Sequence, residues 1–155
     1  MFRSILSALL CILLASAVLA QDPVEYVYDK KVDLKMMDQT AIFNKSCQWI
    51  EYEMKNHQMQ FFPVSTDERN GQIVFSILSS PVAGKYLIAA RIQIDVEESS
   101  ASFFTGSGSI GVSESSGKER RQIYPSDVPN ITKVLDALVS SYDCYMNNKQ
   151  MKSVW

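Results

Sequence analysis

Between positions 86 and 97 the chain alternates with a period of two. Tyr86, Ile88, Ala90, Ile92, Ile94 and Val96 fall on one side, and Leu87, Ala89, Arg91, Gln93, Asp95 and Glu97 on the other. One apolar face and one mostly polar face predict a strand of an antiparallel sheet covered on one side only. Ile73, Phe75 and Ile77 repeat the pattern after the turn signal Asn70-Gly71. Residues 59–64 form another apolar run, and Pro63 directs it to a sheet edge because proline has no N–H for the ladder. Phe104, Gly106, Gly108, Ile110 and Val112 share one parity and predict a further strand. Two glycines on its inward side would mark a bend or a closely packed helix. Residues 24–28, Val-Glu-Tyr-Val-Tyr, predict a short first strand.

Two segments follow the helical period instead. Over residues 38–54, Phe43, Cys47, Ile50 and Met54 mark one face, widened by Ile42 and Trp49, with Asp38 or Thr40 placed to cap the first turn. Over residues 128–146, Ile131, Leu135, Leu138 and Tyr142 mark a buried line with Val134, Val139 and Tyr145 beside it. Pro129 suits the first turn, where a missing N–H costs nothing. The predicted order is β-α-β-β-β-β-α. It is an α+β, two-layer sandwich in which a curved antiparallel sheet of about five strands carries both helices on one face.

The start of the chain has a different pattern. Arg3 precedes an apolar stretch over residues 5–19, and Ala17-Val18-Leu19-Ala20 offers small or short residues before Gln21. This predicts a secretory signal peptide over residues 1–20, cleaved after Ala20, and a secreted or periplasmic location. Removing 20 of 155 residues leaves 135, enough for one core. The domain is expected over 21–146, with a loose tail over 147–155. No later segment reaches membrane-spanning length.

Charge and cysteine content narrow the functional classes. The full chain carries a net charge of −2, and loss of Arg3 makes the mature chain more acidic. A nucleic-acid binder needs a basic stripe to displace counterions, so no nucleic-acid partner is expected. Cys11 leaves with the leader, and in an oxidising compartment Cys47 and Cys144 are expected to form one disulfide. It would close a loop of about 97 residues, worth up to ~4–5 kcal/mol. Cys144 falls off its helix's apolar stripe, however, so pairing would require a frayed helix end or a partner on another chain.

The central Trp helix segment Cys47-Gln48-Trp49-Ile50, the Gly-led strand Asn70-Gly71-Gln72-Ile73-Val74, the alternating strand over 85–96 and the C-terminal helix together carry a resemblance. The chain resembles the secreted bacterial domains of unknown function that are assigned a TBP-like fold. The resemblance covers nearly all of the mature chain. It implies that fold and an envelope or secreted location; it implies no DNA binding and offers no functional residues to carry over.

Few residues suggest chemistry. Gly106-Ser107-Gly108-Ser109-Ile110-Gly111 matches G-x-G-x-x-G, but a dinucleotide site needs a helix start after it, and residues 112–117 read otherwise. No cofactor is expected. His57 is the sole histidine and reads as a helix-end residue meeting the dipole. One His and two distant Cys give no zinc spacing, and no catalytic residues are assigned. Asp95, Glu97 and Glu98 read as a solvated strand end rather than a calcium loop. Lys118-Glu119-Arg120-Arg121 reads as a solvated loop. Asn44-Lys45-Ser46 and Asn130-Ile131-Thr132 match the glycosylation sequon, each inside a predicted helix.

The expected function is therefore non-catalytic binding of a protein or peptide. The expected contact face is the uncovered side of the sheet, with Val74, Leu78, Leu87 and Phe103 among polar neighbours. The alternative is a helix-grip small-molecule or lipid carrier, in which Phe75, Tyr86, Ile88 and Phe104 line a pocket.

Overall fold

The computed structural model describes residues 22–56, 59–82, 86–106, 108–114 and 120–149. The predicted leader, His57, Lys118 and Glu119 lie outside the described residues, as do residues 150–155 of the predicted tail. The elements are β1 (Tyr28–Asp33), α1 (Gln39–Asn56), β2 (Met59–Asp67), β3 (Gln72–Ser79), β4 (Tyr86–Glu97), β5 (Ser100–Thr105), β6 (Ile110–Glu114) and α2 (Val128–Met146). The strands form one antiparallel sheet in the order β1-β5-β4-β3-β2, and β6 also pairs with β4. The architecture is α+β, an open six-stranded sheet with two helices. Among the described residues no helix is long and apolar enough to cross a membrane.

The sixth strand arises where one continuous strand was predicted. β5 pairs with the second half of β4 (Gln93 opposite Phe104), and β6 pairs with the first half (Ala90 opposite Ile110). The chain leaves the sheet after Thr105 and returns at Ile110, with a backbone bond from Ser109 N–H to Gly106 O of 3.1 Å. An excursion of an odd number of residues reverses the parity of everything before it. Ala101, Phe103 and Thr105 therefore face the core in β5, and Ile110 and Val112 face it in β6. Gly106 and Gly108 lie in the loop, not on the inward side of a strand as expected. Gly108, at φ +80°, uses a backbone region that only glycine enters freely.

The first strand also differs from expectation, beginning at Tyr28 rather than Val24. β1 is an edge strand, and only Tyr28 and Val32 of its six residues are buried. Its other positions are charged, as edge strands commonly are to discourage association, and this hides them from an apolar-alternation reading. Residues 22–27 run on as a strap, held by a bond from Val24 N–H to Ile123 O (2.8 Å) and by Tyr26 Oη to Thr132 Oγ1 (2.7 Å). Pro63 does lie on the opposite edge, in β2, where the register with β3 shifts between Pro63 and Ser65.

Both helices cover the same face of the sheet. Asp38 caps α1 by accepting from Ala41 N–H at 2.7 Å. The buried line of α1 runs through Ile42, Ser46, Trp49 and Glu53, flanked by Phe43 and Ile50. Met54, expected on the stripe, is 43% exposed, and Cys47 is half-buried. Trp49 occupies the centre of the core, edge-on to Phe61, Phe75, Phe103 and Tyr142 at centroid distances of 5.2–6.2 Å. Such edge contacts add to the area that these rings remove from water. The polar groups that phase α1 are satisfied between the helices. Ser46 Oγ donates to Ile42 O and bonds Tyr142 Oη, Trp49 Nε1 donates to Ser141 Oγ at 3.3 Å, and Ser141 Oγ donates to Glu53 Oε1. Burial pushes the Tyr142 hydroxyl far up from its ordinary pKa.

The expected Cys47–Cys144 disulfide is not formed, and both thiols are free and half-buried. Cys47 lies near Glu51 and Glu68, whereas Cys144 lies near Lys149. Cys144 is off the α2 line of Ile131, Leu135, Leu138, Tyr142 and Met146 that enters the core, so its thiol is not turned to Cys47. Burial raises the Cys47 thiol above its usual pKa.

Candidate functional site

The pairing register places side chains on the sheet face that the helices leave open. One row runs Val74–Gln93–Phe104–Asp29, a second Phe62–Ser76–Arg91, and a third Gln60–Leu78–Ala89–Gly111. Leu87 continues the apolar set beside Ser113. Val74, Leu78 and Leu87 lie on this face and are half-buried among their neighbours. Phe103 is not on this face. It is 0% exposed and packs against Tyr142 at 4.8 Å, because the Gly106–Ser109 excursion reverses the parity of β5. Phe104 stands on the open face in its place, 41% exposed. Phe62, 49% exposed, extends the patch to the β2 edge.

Polar groups divide this face unevenly. Towards one end, Asp95 accepts from Gln72 Nε2 at 3.2 Å and from Gln93 Nε2 at 2.9 Å, and Lys31 pairs with Glu97 at 3.1 Å. Asp95 and Glu97 thus have separate partners, and with Glu98 they form no group placed to hold a metal ion. Val74, Arg91, Gln93 and Phe104 line a shallow depression of ≈ 130 Å³ on the bulge side.

The other sequence candidates are dispersed. The glycine run leads into β6, so no helix N-terminus follows it. Arg121 grips Asp127 with two bonds of 2.6 and 2.7 Å, and Asp127 also accepts from Tyr124 N–H. The bonds from Arg121 hold the Asp127 carboxyl below its ordinary range. This pair ties the approach segment to the first turn of α2. The stem of Arg120 lies over Gly111, where any Cβ would meet it. A cavity of ≈ 470 Å³ is lined by the strap at Pro23–Tyr26 together with Gly108, Ile110, Gly111 and Arg120–Ile123. Asn44 is exposed on α1, but Ser46 of its sequon is buried, and Asn130 Nδ2 donates to Tyr86 Oη. Among the described residues no group of three or more His, Cys, Asp or Glu is placed to hold a metal ion.

The residues proposed for a helix-grip pocket do not share one. Phe75 and Ile88 are 0% exposed in the core, Tyr86 bonds Asn130 near the start of α2, and Phe104 lies on the opposite side of the sheet. The cause is that the two helices fill the face such a pocket would occupy.

Two solved structures with a similar fold come from bacteria. A DUF4468 family protein from Bacteroides ovatus superposes with a TM-score of 0.60 over 83% of this chain and 91% of that one, at 14% identity. A TBP-like protein from Parabacteroides distasonis gives 0.54 over 79% of this chain and 94% of that one, at 11% identity. The fold is TBP-like. No family model matches the sequence, and no curated protein does. At these identities the likeness describes topology alone. The open face of this TBP-like sheet is the candidate site, and Phe62, Arg91 and Phe104 are the members that sequence reasoning missed. The small-residue run Gly106-Ser107-Gly108 was the signal for a bulge that would have exchanged Phe103 for Phe104.

Proposed function

We propose that this protein is a non-catalytic binding domain, secreted or periplasmic, that takes a protein or peptide partner on the open face of its sheet. The observation that carries this reading is the set of Val74, Leu78, Leu87 and Phe104, left uncovered on one face while both helices occupy the other. Covering apolar area yields roughly 25 cal/mol per Å², so such a face gains by association. A chain of net charge −2 is ill-suited to a nucleic-acid backbone. The small-molecule carrier draws less support because its nominated lining is split between the core and the open face. Export is supported by Arg3, the apolar stretch over 5–19 and the small residues ending at Ala20.

Peptides selected from a random display library against the folded mature chain are expected to lose binding to Phe104→Asp, a variant that should melt like the wild type. Peptides that hold Phe104→Asp and Leu78→Asp as tightly as the parent would exclude this face. N-terminal sequencing of the exported protein should begin at Gln21; an intact leader on a chain retained in the cytoplasm would refute export.

A further inference from the structure

Arg91 stands in the middle of the open face. It lies opposite Ser76 on β3, with Phe62 of β2 beyond it, and its backbone N–H is fixed to Ser109 O across the bulge at 2.9 Å. Its side chain is exposed and, among the described residues, makes no hydrogen bond or ion pair. Of the carboxylates on the same face, Asp95 is engaged by the amides of Gln72 and Gln93, Glu97 by Lys31 and Asp67 by Asn70, while Asp29 and Asp33 stand on the β1 edge beyond β5, and none of them bonds Arg91. Arg91 also shares its depression with Val74 and Phe104. A partner that covers those two side chains therefore takes the guanidinium out of water with them. A covered cation without a counter-charge is strongly unfavourable, and none of the described carboxylates is bonded to it.

We propose that the partner is a protein segment carrying a carboxylate between apolar side chains. The carboxylate meets Arg91 through the planar fork of the guanidinium, and its apolar neighbours cover Phe104, Val74 and Phe62. Arginine is enriched at interface hot spots, and phenylalanine and arginine are both enriched in interfaces. This inference rests on the binding reading above and names the chemistry of its partner.

The probe is the same random peptide library, displayed against the folded mature chain. Enrichment of Asp or Glu flanked by apolar residues is expected. Arg91→Glu should weaken the best such peptide at least about tenfold, with Arg91→Lys in between. Exchanging the peptide's acid for Lys should restore binding to Arg91→Glu. The melting temperatures of Arg91→Glu and Arg91→Gln should match the wild type, since the side chain is exposed. Peptides lost on Phe104→Asp but indifferent to Arg91→Glu would overturn the acidic partner and leave the docking face standing. Peptides indifferent to Phe104→Asp would overturn the docking face itself. Arg91-dependent binding to phosphatidylserine vesicles, with no acidic preference among peptides, would assign Arg91 to a lipid headgroup and overturn the protein partner.

Discussion

Truncation of Phe103 and truncation of Phe104 are adjacent changes with opposite expected consequences. Phe103 is 0% exposed and touches Trp49 at 6.2 Å and Tyr142 at 4.8 Å, both edge-on. Phe103→Ala removes a fully buried ring from that aromatic centre and leaves a cavity, at a cost of about 3–5 kcal/mol. In a domain of this size each kcal/mol shifts the melting temperature by several degrees, so a fall of about 10–20 °C is expected. Phe104 is 41% exposed on the opposite face, and Phe104→Ala should change stability by no more than ~0.5 kcal/mol. Thermal unfolding followed by circular dichroism, with a urea midpoint for each variant, reads both. Equal losses, or a larger loss for Phe104→Ala, would mean that β5 and β6 keep one parity, and would refute the reversal at Gly106–Ser109.

Further outcomes test other parts of the fold. Ile92→Asp places a charge in the core and should unfold the domain, whereas Gln93→Asp on the open face should fold; equal melting temperatures would overturn the β4 orientation. Gly71 holds φ +64° with Val96 O and Gln39 Nε2 where a Cβ would stand, so Gly71→Ala should cost roughly 2 kcal/mol by urea unfolding, and a neutral result would contradict that packing. Arg121 holds the Asp127 carboxyl low, so this pair stabilises the fold above the unfolded carboxyl value of about 4 and is lost as pH falls through the lower folded value. Asp127→Asn should therefore melt below the wild type at neutral pH, with the gap closing in acid; a gap that persists at the lowest pH would contradict the linkage. Denatured, unreduced mature protein should take two alkyl groups from iodoacetamide, at Cys47 and Cys144, and uptake of none would restore the disulfide.

Much of this architecture was legible because the period of the hydrophobic residues is strong where an element is covered on one side. α2 begins and ends where its pattern predicts, and β3 and β4 carry their apolar parity without a break. The reading failed where local chemistry interrupts the period. Two adjacent phenylalanines satisfy either parity, so the glycine excursion alone decides which is inside. β1 is disguised by the lysines and aspartates of an edge strand. The phase of α1 is set by Ser46 and Glu53, polar residues buried by bonds to Tyr142 and Ser141, while the apolar Met54 faces solvent. The cysteine expectation used compartment and count, but a disulfide also needs two side chains turned toward each other. Of the candidate face, Val74, Leu78 and Leu87 followed from alternation. Alternation also placed Arg91 on this side of β4, but did not reveal its lack of a partner, which depends on what the neighbouring carboxylates bond.

Docking of a partner on the open sheet face can be observed residue by residue. Amide ¹H–¹⁵N shift mapping of the mature chain, titrated with a library-selected peptide, tests it most directly. Perturbations are expected to concentrate at Val74, Leu78, Leu87, Arg91 and Phe104, with α1 and α2 unmoved. Perturbations centred on the helices, or on the strap at residues 23–26, would contradict it.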